Sequence, residues 1–268
     1  MIMAQPQVIV LSGYGINCEE ETQFAFELAG ARAHIVHIND LIDGHRGLEN
    51  YQILAFPGGF SYGDDTGSGN AFAHRVKNHI WKQVLSFVQK DRLAIGVCNG
   101  FQIMVHLGLL PAIGGKFGTQ QVALTYNRSA RYLARWVDLE VQCDSPWLRG
   151  LRKVSLPIAH GEGKFYAPGK VLQELKARGM IALKYALGEV CTHLDLEPNP
   201  NGSLEDIAGI ADETGRLLGM MPHPERAIDF THLPHWTWLK EKYKREGQKI
   251  PERGPGLKIF ENAVEYFK

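Results

Sequence analysis

The stretch Ile95-Gly96-Val97-Cys98-Asn99-Gly100-Phe101-Gln102 places a cysteine at the end of an apolar run, with glycines two residues before and two residues after it. Leu93 to Val97 reads as a β-strand, and Phe101, Met104, Val105 and Leu107 follow at helical spacing. Strand, sharp turn and helix is the nucleophile-elbow arrangement, here with cysteine as the nucleophile. Small flanking residues allow a strained turn to project the side chain. A helix that starts at the turn aims free N–H groups and its positive dipole end at the sulfur, which favours thiolate. A buried structural cysteine between two chance glycines is the competing reading of these eight residues alone.

Outward from the elbow, strand and helix signals alternate. Gln7 to Leu11, Ala33 to Ile38 and Gln52 to Phe56 read as strands. Glu19 to Leu28 reads as a helix with Phe24, Phe26 and Leu28 as its apolar positions, and Ser68 to Gln89 is mostly helical, with His74 and His79 off its apolar stripe. Such alternation predicts an α/β fold with a mostly parallel central sheet and helices on both faces. Gly13-x-Gly15 after the first strand is not a dinucleotide fingerprint, because Cys18 stands where the third glycine is required. Beyond the elbow helix the pattern turns to β over Gln121–Tyr126, Trp136–Val141 and Val154–Ala159. A hairpin is predicted from Ile207–Ala211 and Leu217–Met221, and a closing amphipathic helix from Gly256 to Phe267.

Composition narrows the class. Of 268 residues, 44% are hydrophobic and 22% charged, and the formal net charge is zero, so no bulk field recruits nucleic acid or an anionic membrane. Four scattered cysteines form no C-x-x-C pair, so metal-ligand spacing is absent and a disulfide framework is not expected. With no spanning segment or signal-peptide pattern, the expected compartment is the cytoplasm. Between about 231 and 256, Trp236, Trp238 and Tyr243 lie among lysines and arginines, but Glu241, Glu246 and Glu252 interleave with them. That argues against nucleic acid and for an insertion that covers the sheet or faces a partner.

Three loops carry chemistry. Phe56-Pro57-Gly58-Gly59-Phe60 follows the third strand and leaves the sheet at the edge where the Cys98 turn also lies. An N–H of Gly59 facing that of Asn99 would cradle an oxyanion. The hairpin delivers Met221-Pro222-His223-Pro224-Glu225-Arg226, in which alternation puts His223 and Glu225 on one side. A carboxylate can there orient an imidazole that serves as base toward a nucleophile elsewhere. His160-Gly161-Glu162-Gly163 follows a strand directly and reads as the rim of a pocket or a solvated turn.

With G-x-C-x-G-x-Q and a late His-Pro-Glu, the chain resembles the class I (triad) glutamine amidotransferases. Phe56 to Asp64, Ala159 to Gly163, Pro198-Asn199-Pro200-Asn201-Gly202-Ser203 and Met220 to Ala227 resemble the branch that forms the glutaminase subunits of phosphoribosylformylglycinamidine synthases. The resemblance spans about Val8 to Ala227. It implies a flavodoxin-like fold, a single amidotransferase domain over residues 1–268, and a Cys98, His223, Glu225 triad with Gly59 and Asn99 as the oxyanion hole. It further implies glutamine binding by Gln102, His160, Gly161 and Glu162. No metal or cofactor is expected on this chain; ATP and Mg²⁺ belong to a separate synthetase subunit, which uses the released ammonia to make formylglycinamidine ribonucleotide for purine synthesis. A small third subunit accompanies some such complexes. The sequence departs from the branch at Asp65 to Asn70, a stretch expected to face the synthetase, and in the insertion at about 231–256. A different synthetase partner, a non-catalytic subunit and a cysteine peptidase are the rival readings; glutamine turnover and its acceptor separate them.

Overall fold

The computed structural model describes residues 5–268. Among these described residues eleven strands form in chain order: β1 Gln7–Ser12, β2 Arg32–His37, β3 Ile53–Phe56, β4 Leu93–Val97, β5 Ala123–Thr125, β6 Leu133–Val141, β7 Lys153–His160, β8 Lys164–Tyr166, β9 Ile181–Ala186, β10 Ile207–Ala211 and β11 Leu217–Met220. Nine of them make one sheet in the order β2-β1-β3-β4-β11-β10-β9-β6-β7, while β5 and β8 pair separately. Four neighbouring pairings from β2 to β11 are parallel and the other four antiparallel. In direction, β1 to β4, β7, β9 and β11 run one way, and β6 and β10 are reversed, β10 being the first arm of the predicted hairpin.

That arrangement brings chemistry to one edge. The C-terminal ends of β1, β3, β4, β7 and β11 lead into Gly13, Pro57, Cys98, Gly161 and Met221 respectively, so all five loops leave the same side of the sheet. β3, β4, β10 and β11 are buried along their whole length, which accounts for their unbroken apolar runs: both faces are covered.

The helices are α1 Glu19–Leu28, α2 Ile38–Ile42, α3 Asn70–His79, α4 Trp81–Val88, α5 Asn99–His106, α6 Gly169–Ala177, α7 Glu189–His193, α8 Trp236–Arg245 and α9 Leu257–Glu265. Helices α1 and α9 pack together through Phe26 and Phe260, whose rings meet edge-on at 4.9 Å, and α3 packs against α5. Two expectations change here. The helix predicted over Ser68–Gln89 breaks at Ile80, whose φ of −125° lies outside the helical range; its buried side chain ends α3 and starts α4. Phe24, expected on the buried face of α1, is 53% exposed, because Thr22, Ala25 and Phe26 carry the contact.

The insertion folds back on itself. Phe230 N–H donates to Glu252 O and Gly254 N–H to Ile228 O, so its ends are clamped side by side. Helix α8 buries Leu239, with His235 just ahead of it, over a cavity of about 500 Å³ whose floor includes Asp138 of β6 and Val154 of β7. Sheet covering is what this segment does in the structure. Among the described residues no helix is long and apolar enough to cross a membrane.

Candidate active site

Cys98 sits at the β4–α5 turn with φ 52° and ψ −107°, a conformation that a non-glycine residue adopts only under local constraint. The flanking glycines supply it. A Cβ on Gly100 would lie 1.7 Å from Phe56 O, and one on Gly96 would lie 2.6 Å from Met104 Sδ. The turn is therefore wedged between β3 and its own helix. Gly100→Ala is expected to destabilise the fold by more than about 3 kcal/mol, read as a fall in the urea midpoint. An unchanged midpoint would mean that the elbow relaxes freely. Cys98 N–H donates to Met220 O at 2.8 Å, tying the elbow to the strand that precedes His223.

His223 and Glu225 are joined by a 2.5 Å bond between Nδ1 and Oε1, with side chains 2% and 0% exposed. His223 N–H donates to Pro157 O, fixing this loop on β7. Among the described residues the Nε2 of His223 has no hydrogen-bond partner, so the ring's second nitrogen is uncommitted. Burial alone would push the imidazolium down. The Glu225 carboxylate and the Cys98 sulfur outweigh it and hold the pKa of His223 well above the ordinary histidine value. The Cys98 thiol itself faces Ala159 O at 3.7 Å.

Gly59 has φ 151° and forms an antiparallel bridge with Ile16. The bridge uses the amides on either side, Phe60 N–H to Gly15 O and Asn17 N–H to Gly58 O, and leaves the amide of Gly59 out. A Cβ at Gly59 would lie 2.7 Å from both Gly15 O and Ile16 Cα, so only glycine fits. Asn99 opens α5, where an amide has no partner within the helix. Among the described residues neither amide has a hydrogen-bond acceptor.

His160 ends β7 and is buried. Asn127 Nδ2 donates to the carbonyls of Arg131 (2.9 Å) and His160 (2.8 Å), so its Oδ1 is the acceptor facing His160 Nδ1 at 3.0 Å. This network assigns the ring proton to Nδ1 and leaves a bare Nε2 with no partner among the described residues. Burial, with the charge of His223 adding to it, pushes the pKa of His160 down to about 3, so the ring stays neutral.

Gln102 is braced at both ends: Nε2 donates to Glu162 O at 2.6 Å and Oε1 accepts from Asn99 Nδ2 at 3.0 Å. Its amide thus holds the Gly161–Glu162 turn against α5. Glu162 Oε2 faces the Ser68 amide at 3.4 Å. Part of the Asp65–Asn70 stretch therefore belongs to the site: Ser68 and Gly69 are buried, and only Asp65 and Thr66 are exposed.

Several supporting residues were not singled out by sequence reasoning. Asp64, whose carboxyl burial pushes upward, accepts from Asn99 Nδ2 at 3.2 Å. Asn127 and Asn201 clamp the His160 loop, the latter donating to Gly163 O at 2.9 Å. The Asn-Pro-Asn-Gly-Ser phrase, which carries part of the resemblance, thus braces this loop. Cys18 lies beside the dyad. Its Sγ and the ligand atoms of His223 and Glu225 fall within 4.8 Å of one another, the one such three-residue grouping among the described residues. Arg226 Nη2 donates to that sulfur at 2.9 Å and places a fixed positive charge where a cation would have to bind.

Comparison with known proteins follows the same line. The family of CobB/CobQ-like glutamine amidotransferase domains matches residues 5–267. The chain is 48% identical over 271 residues to the phosphoribosylformylglycinamidine synthase subunit PurQ of Methanococcus maripaludis, covering 100% of this chain and 99% of that protein. It is 40% identical to the PurQ of Dehalococcoides mccartyi, covering 98% of each. A chain in the structure of PurLQS from Thermotoga maritima superposes with a TM-score of 0.72 at 28% identity, covering 98% of this chain and all of that one.

Proposed function

The chain belongs to the CobB/CobQ-like glutamine amidotransferases, and on that footing we propose that it is the glutaminase subunit of a phosphoribosylformylglycinamidine synthase. It hydrolyses L-glutamine to L-glutamate and passes the ammonia to a synthetase subunit that converts formylglycinamide ribonucleotide to formylglycinamidine ribonucleotide. The observation that carries the reading is the buried His223–Glu225 pair, joined at Nδ1, with an Nε2 that has no hydrogen-bond partner among the described residues.

The Cys98 sulfur attacks the amide carbon of glutamine, and the oxyanion that forms is held by the amides of Gly59 and Asn99. Each such donor is worth about 3 kcal/mol of transition-state stabilisation. His223 gives its proton to the leaving nitrogen as the C–N bond breaks, which releases ammonia and leaves a glutamyl thioester. Water then adds while His223 takes its proton, the C–S bond breaks, and glutamate departs. Neutral His160, the Gly161 backbone and the Glu162 carboxylate form the glutamine-binding side; a carboxylate there suits the substrate's α-ammonium group. Gln102 contributes by holding Glu162. ATP and Mg²⁺ act on the synthetase, and the compartment is the cytoplasm.

The test is glutamate release by the purified chain, with and without a synthetase subunit, formylglycinamide ribonucleotide and ATP. Release that rises on adding all three, with matching formylglycinamidine ribonucleotide, is the expected result. Release indifferent to them would assign the ammonia to another acceptor.

A further inference from the structure

The dyad contains an unmet demand. Among the described residues no hydrogen-bond donor reaches buried Glu225 Oε2, and the Arg226 guanidinium lies close by, its Nε 4.0 Å from Glu225 Oε1. A buried carboxylate oxygen beside a free guanidinium would ordinarily draw it into a bidentate pair. Arg226 instead donates from Nη2 to Cys18 Sγ at 2.9 Å. Cys18 is well fixed for this. It is 1% exposed, its N–H donates to Gly58 O at 3.2 Å, its carbonyl accepts from Thr22 Oγ1 at 2.6 Å, and its thiol faces Asn17 Oδ1 at 3.3 Å. With its proton turned toward Asn17, the sulfur keeps its lone pairs for the guanidinium.

We propose that Cys18 is a positioning residue of the catalytic dyad, whose sulfur holds the Arg226 guanidinium away from Glu225 so that the carboxylate stays committed to His223. The inference rests on the glutaminase reading for its effect on turnover, but not for its effect on the imidazole. The groups facing His223 are Glu225 from its own segment, with Arg226 behind that carboxylate, Cys98 at the elbow, Cys18 ahead of α1, whose sulfur also lies within 4.8 Å of the ring, His160 from β7 and Tyr132 ahead of β6. Glu21 of α1 faces Arg226 in turn. Of these, only Arg226 is a fixed cation, so where its charge sits decides how strongly Glu225 stabilises the imidazolium.

The experiment follows His223 by NMR of ¹⁵N-histidine-labelled protein across pH, and kcat and KM for glutamine in the complex with its synthetase. In Cys18→Ala the guanidinium moves onto Glu225, the His223 titration falls by about one unit, and kcat falls about tenfold with KM within twofold. Cys18→Ser, whose hydroxyl still accepts from Arg226, stays within about threefold of the parent. Adding Arg226→Met to Cys18→Ala removes the misplaced charge and returns the titration toward the parental value. Arg226→Met alone leaves the His223 titration at or above the parental value, and this arm decides the matter if Cys18→Ala does not fold. An unshifted His223 in Cys18→Ala, no recovery in the double variant, or a fall in Arg226→Met alone would overturn the proposal. Absence of glutamine turnover in the parent would strike the glutaminase reading and leave the NMR arms to decide this one.

Discussion

Cys98→Ala is expected to abolish glutamine-dependent synthesis by the complex while ammonia-dependent synthesis persists. In the proposed mechanism the sulfur forms the covalent intermediate, and Cys18 does not stand in for it, being engaged by Arg226 and anchored at Gly58. Losing the nucleophile of a triad lowers turnover by about 10⁵–10⁶-fold. The fold should tolerate the change. The Cys98 thiol donates, at most weakly, to Ala159 O at 3.7 Å, and alanine keeps the same backbone demands at φ 52° that the flanking glycines already accommodate. Thermal unfolding within a few degrees of the parent, together with intact ammonia-dependent activity, separates a missing nucleophile from a damaged fold. Retained glutamine-dependent activity would remove Cys98 from the role.

Glu225→Gln carries the second large effect. The carboxylate is the leading attractive influence that keeps His223 protonated against its burial. A neutral amide in its place leaves burial dominant, so the imidazole's pKa drops. In the proposed mechanism a proton on His223 releases ammonia, hence activity is lost as pH rises through that pKa. The alkaline limb of kcat/KM therefore moves to lower pH in the variant, and the glutamine amide can donate to Nδ1 and present the wrong tautomer at Nε2. A loss of about 10²–10⁴ in kcat is expected. An alkaline limb that stays in place would show that Glu225 does not set the charge of His223.

The elbow was legible because its constraint is local: two glycines, a strand and a helix within fifteen residues state the turn without help from the rest of the chain. β4 Leu93–Val97 and α1 Glu19–Leu28 fall where the pattern predicts them for the same reason. The His223–Glu225 pair is likewise two residues apart, and its 2.5 Å bond closes within one loop. What the residues alone do not display is long-range. Cys18 and Arg226 meet across 208 positions, Asn201 and Gly163 across 38, and neither pairing leaves a periodicity to read. Phe24 is apolar at a helical position yet faces outward, since packing against β1, β2 and α9 selects Phe26 instead. Gln102 shows a contact the motif does not display: the two ends of its amide bond Asn99 and Glu162, so it braces the loop that carries Gly161 and Glu162.

The most direct measurement is rapid quenching of the synthetase complex during glutamine turnover, followed by mass spectrometry of the cysteine-bearing peptides. A glutamyl thioester on the Cys98 peptide alone, absent in Cys98→Ala, is the predicted result. Glutamate accumulating with no adduct on Cys98, or with the adduct on the Cys18 peptide, would contradict the account.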